Sequence, residues 1–172
     1  MTVFSRSTYK RLEEANVNDL VQFAEGDGST LAIVTAKGAD ETFGFLILAS
    51  TGDAYPEPEF TRFEPNEFCL NYGSEWVLEV LEDARSVPRS NDGGEQPGII
   101  RLLPEGPMMI VRGAHPQDRK RLGLFNLDAG KFVGRERYEG APCFGWILWA
   151  TAADTQRAGA RPIAKFPKEQ TP

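Results

Sequence analysis

The stretch 42–53, TFGFLILASTGD, returns 101 positions later as 143–154, CFGWILWATAAD. In the first phrase Phe43, Phe45 and Ile47 share one parity, and Leu46 and Leu48 the other. An extended chain therefore presents apolar side chains on both faces, which places such a strand inside a fold, covered on both sides. Gly44 and Gly145 each stand between two aromatics. Two roles are open to them, a bulge that curls the sheet or a gap into which a neighbouring ring packs. Both suit curled antiparallel sheets or a small barrel, and the repeated phrase suggests two related halves with equivalent central strands.

The rest of the chain supports a mainly β fold. Apolar runs of about four to eight residues alternate with Gly, Pro, Asn and Asp, the pattern of short strands joined by turns. Leu20–Phe23 and Leu31–Val34 flank AEGDGST, where Asp27-Gly28 predicts a hairpin turn. Phe60–Phe63, Phe68–Tyr72, Ile99–Leu103, Met108–Arg112, Leu122–Leu127 and Lys131–Val133 read as further strands. The last two are joined by a tight turn at DAG, and RPIAKF closes the series. One amphipathic helix is expected over 74–86, where Trp76, Val77, Val80, Leu81 and Ala84 recur at helical spacing behind a Ser74 cap. The Pro- and Gly-rich stretch 87–98 reads as a linker between a β half at 1–86 and another at 99–172, unless the two pack as a single domain.

Composition narrows the functions. At 172 residues with 41% hydrophobic side chains, the chain can fill a core without disulfides or metals. The apolar phrases are too short to form a membrane helix, and the N-terminus lacks a signal-peptide pattern, so a cytoplasmic protein with no membrane partner is expected. Cys69 and Cys143 sit in apolar surroundings and read as buried free thiols. His115 is the single histidine, which excludes multi-histidine zinc sites, and no nucleophile elbow or phosphate-binding loop is present. No metal or cofactor is expected.

Two features remain. Glu57, Glu59, Glu64 and Glu67 gather in a Pro-broken segment and would serve a carboxylate-based hydrolase as acid and base. The charge is also lopsided, with 7 Lys and Arg against 18 Asp and Glu in residues 1–100, and 12 against 7 thereafter. Arg112, His115, Arg119, Lys120, Arg121, Lys131, Arg135 and Arg137 form a basic region over 112–137 that would suit single-stranded nucleic acid on a β scaffold. Because polar catalytic groups are sparse, the leading expectation is a non-catalytic binding or assembly module for a protein or small anionic partner, with homo-oligomerisation open. Its expected site is Arg112, His115, Arg119 and Arg121 beside Trp146 and Trp149.

Overall fold

The computed structural model describes residues 7–38, 42–51, 57–64, 67–81, 96–113, 121–133 and 141–167. Among them the protein is mainly β, arranged in three antiparallel sheets. The first sheet contains β1 (Thr8–Arg11), β2 (Leu20–Glu25), β3 (Gly28–Lys37), β4 (Phe43–Ser50), β5 (Glu59–Phe63) and β6 (Phe68–Gly73). Its order is β1-β6-β2-β3-β4-β5. After β7 (Val77–Val80), the second sheet is built from β8 (Ile100–Leu103), β9 (Gly106–Val111), β10 (Gly123–Asn126), β11 (Lys131–Val133) and β12 (Ala141–Cys143), in the order β11-β10-β9-β8-β12. In the third, β13 (Trp146–Trp149) lies between β7 and β14 (Ala164–Phe166).

The first phrase behaves as its two-faced apolarity requires. Strand β4 pairs with β3 and β5, and Phe43, Phe45, Leu46, Ile47 and Leu48 are all buried. On one face Leu46 and Leu48 join Leu20, Leu31 and Ile33 in a core shared with Ile100, Met109, Val111 and Phe125 of the second sheet and Trp146 and Leu148 of the third. Residues from both sides of the 87–98 stretch thus fill one core. On the opposite face Phe43, Phe45 and Ile47 pack with Val21, Phe23, Val34 and Cys69 under Leu12 and Ala15. The Phe45 and Phe63 rings stack there at 4.4 Å. Each such side chain contributes roughly 1.5–3 kcal/mol by leaving water.

Gly44 takes the bulge role. The β3–β4 register slips between Val34 and Ala36, opposite Gly44, and a Cβ on Gly44 would stand 2.7 Å from the Thr35 hydroxyl. The extra residue, Thr35, leans into the space that a side chain at position 44 would fill. Gly145 has a different place, between β12 and β13, where its carbonyl accepts the Leu81 N–H at 2.8 Å. The second phrase also differs in burial: Trp146 and Leu148 are buried, while Ile147 and Trp149 are only partly so. The two phrases therefore do not occupy equivalent positions.

Three expectations need correction. The amphipathic helix expected over 74–86 is not formed: Val77–Val80 is a strand, and 82–86 lie outside the described residues. Its register, Val77↔Trp149 through Val80↔Trp146, satisfies the backbone from a segment some 70 positions away. Four residues are too few to separate a period of 2 from one of 3.6, so the tertiary partner decides. Among the described residues helix is confined to two 3-10 turns, Leu12–Glu14 and Ala152–Thr155, and no helix is long and apolar enough to cross a membrane. Second, among the described residues no sheet closes into a barrel. The first ends on β1 at one side and β5 at the other; among the described residues β5 meets the second sheet through a parallel backbone bridge, Glu59 to Arg112, and through Phe60, whose ring lies 5.8 Å from Phe125 and 6.0 Å from Phe132, but not as a paired strand. Third, the β2–β3 hairpin turns on Gly26-Asp27, one residue earlier than expected, because Glu25 pairs with Gly28. The β10–β11 hairpin forms at DAG, where the Asn126 side-chain oxygen accepts the Ala129 N–H at 2.7 Å.

Candidate functional site

The residues expected at a basic site are dispersed in role. Arg112 continues from β9, and its Nε donates to the Glu57 carboxylate. Arg121 is exposed, whereas His115 and Arg119 lie outside the described residues, as do Lys120, Arg135 and Arg137. Trp146 is fully buried, stacks on Phe166 at 5.6 Å and donates its indole N–H to the Gly98 carbonyl at 2.9 Å. The Trp149 indole N–H donates to the Glu79 carboxylate at 2.7 Å. Among the carboxylates, Glu59 is buried, Glu57 is partly buried, and Glu64 and Glu67 are exposed. Cys69 and Cys143 are buried and not joined in a disulfide, and burial pushes the Cys69 thiol up, so it is protonated at neutral pH. Among the described residues no three His, Cys, Asp or Glu side chains converge to hold a metal ion.

A polar cluster that the sequence reading did not single out lies under the start of β2. Asp19, buried, accepts the Asn16 N–H at 2.9 Å and the Asn71 amide at 2.6 Å, with Lys10 Nζ at 3.4 Å. Asn71 in turn accepts the Gly73 N–H at 2.6 Å, so the cluster ties β1, β6 and the turn before β2 together. Burial by itself raises the Asp19 pKa, but the two hydrogen bonds and the Lys10 charge outweigh it and hold the carboxyl below its ordinary 3.8. With the folded pKa below the unfolded one, the stabilisation is complete above the ordinary carboxylate range and is lost as pH falls through the folded value. Asp19→Asn is expected to lower stability at pH 7 by about 1–3 kcal/mol, because it sets an amide against donors. Urea denaturation as a function of pH should show the gap between wild type and variant narrowing below pH 4. A gap that stays constant with pH would refute this role for Asp19.

Among the described residues, three of the five large exposed apolar side chains lie together on the β1 side of the first sheet, Val17 and Leu102 being elsewhere. Tyr9 is 70% exposed, Phe68 48% and Leu70 39%. The Tyr9 and Phe68 rings stack at 5.0 Å and 7°, with the Arg11 guanidinium 5.5 Å from the Phe68 ring centre. These side chains share a face because Tyr9 pairs with Leu70 and Arg11 with Phe68. The row continues inward: Leu70 pairs with Gln22, Gln22 with Leu31, and Leu31 with Ala49. Five strands thus place Tyr9, Leu70, Gln22, Leu31 and Ala49 in one line, about 19 Å long at the usual strand spacing of about 4.8 Å.

At the inner end of this line is a cleft of about 150 Å³, walled by Leu31, Ala49, Ile163 and Ala164 and edged by Gln22, Ser29, Ser50 and Thr51. Its polar groups are arranged in sequence. The Tyr72 hydroxyl donates to Gln22 Oε1 at 3.0 Å, and Gln22 Nε2 donates to the Ser29 hydroxyl at 3.0 Å. Burial raises the Tyr72 pKa, so the phenol is a donor at neutral pH. The Ser29 N–H donates to the Thr51 hydroxyl at 2.9 Å. Ser29 and Thr51 each accept one of these bonds, and a hydroxyl that accepts keeps a proton of its own to donate. The chain matches no protein-family model, no curated protein and no solved structure.

Proposed function

We propose that this protein is a non-catalytic binding module whose partner is another protein, docking on the β1 side of the first sheet. The observation that carries the reading is the exposed, coplanar Tyr9–Phe68 pair beside Leu70. Rigid aromatics held in place before contact give a partner apolar area at little entropic cost, and aromatic residues and Arg are the commonest anchors of protein interfaces. Arg11, beside Phe68, adds a directional donor of that type. The volume of the cleft favours a protein over a free small molecule, since about 150 Å³ is half or less of the roughly 300–1,000 Å³ typical of ligand pockets.

The test is site-specific photocrosslinking in the cells that express the protein. With p-benzoylphenylalanine in place of Tyr9, illumination is expected to yield a discrete protein adduct. The same probe in place of exposed Gln156, on the turn after β13, should not form it. No adduct at position 9, or the same adducts from both positions, would overturn the assignment.

A further inference from the structure

We propose that the partner contributes an extended segment that crosses the strands of the first sheet, seats one aliphatic side chain in the cleft and sets a carboxylate against Arg11. This rests on the protein-binding reading and specifies the chemistry of the partner. The line from Tyr9 to Ala49 connects the exposed rings to the cleft on one continuous face. Beside it runs a second line, in which Arg11 pairs with Phe68 and Ala24 with Ser29, and Ser29 meets Thr51. Two neighbouring same-face rows are about 7 Å apart along a strand, so the strip has the width of an extended chain and is narrower than a helix of about 10 Å. Its length of about 19 Å corresponds to about six residues at 3.3 Å each.

The polar character of the strip determines what the segment carries. Ser29, Thr51 and Arg11 all offer protons, and neither line contains a carboxylate. Arg11 is the one charged side chain in the two lines, positive on a chain of net charge −6. Among the described residues its ion pair is with Glu13 at 3.7 Å, both side chains being more than half exposed, so a better-placed carboxylate can take it. Backbone carbonyls of the segment complement the Ser29 and Thr51 hydroxyls. The apolar walls of the cleft, Leu31, Ala49, Ile163 and Ala164, accept a side chain of Val, Leu or Ile size. The expected signature is an aliphatic residue and an Asp or Glu about six positions apart.

Panning the full chain against phage-displayed random nonapeptides tests this directly. Enriched peptides should carry that spacing, and Arg11→Glu should switch the selected acidic position to Lys or Arg. Ala49→Phe, which fills the cleft, should weaken a selected peptide by about tenfold or more, the value of burying one such side chain. Ser29→Ala removes only a hydroxyl and should weaken the same peptide several-fold, so the test stands even if Ala49→Phe fails to fold. The proposal is overturned by an absence of enrichment, by peptides lacking the spacing, or by a selection indifferent to Arg11→Glu. It is equally overturned if the adduct at position 9 forms only with an oligonucleotide or with a second copy of the chain. An adduct at position 9 without the peptide signature removes the strand-crossing segment and leaves the protein-binding reading intact.

Discussion

Gly113→Ala is expected to destabilise the fold by about 3 kcal/mol or more and to lower the melting temperature by about 6–12 °C for a chain of this size. Gly113 has φ of +82°, a conformation in which an L side chain costs roughly 1–2 kcal/mol. An added Cβ would also collide with the Phe60 carbonyl oxygen and press on the Glu59 side chain at 3.1 Å. That backbone has little room to move, because the Phe60 N–H donates to the Arg112 carbonyl at 2.8 Å and the Arg112 N–H to the Pro58 carbonyl at 3.0 Å. These two hydrogen bonds form the parallel bridge between the first and second sheets. Relief of the collision therefore strains the seam where the sheets join. Circular-dichroism melts would check it, and a variant melting within about 2 °C of wild type would show that the seam is not rigid.

Trp146→Ala is expected to cost about 3–5 kcal/mol, the usual range for emptying a large buried aromatic site. The indole fills the common core of all three sheets, stacks on Phe166 and satisfies the Gly98 carbonyl. Trp146→Phe retains a ring against Phe166 but leaves that carbonyl without its donor, and should cost about 1–3 kcal/mol. The order Ala worse than Phe worse than wild type, read from urea midpoints, would establish a packing role. Two variants as stable as wild type would refute the packing role.

Much of the strand pattern was legible because it is local. Asn126 and Gly130 mark a turn by their own chemistry, and the β2–β3 hairpin was found within one residue. A bulge, found at Thr35 opposite Gly44, was among the two readings that a glycine between aromatics allowed. The segment Val77–Val80 was misread because its helical period rested on too few residues, and its strand partner, Trp146–Trp149, is remote in the chain. The candidate site was illegible for a related reason. Tyr9, Leu70, Gln22, Leu31 and Ala49 show no common motif, and registers among β1, β6, β2, β3 and β4 alone make them neighbours.

By itself the sequence determined that this is a β protein whose first phrase lies buried on both faces, since alternation sends apolar side chains both ways and neither set tolerates water. Only the tertiary structure decided that the two phrases have different places, that Val77–Val80 is a strand and that the exposed rings lead to the cleft. Hydrophobic patterning specifies which residues leave the solvent, but lateral pairing depends on backbone hydrogen bonds between segments distant in the chain, which carry no mark in the sequence of either strand.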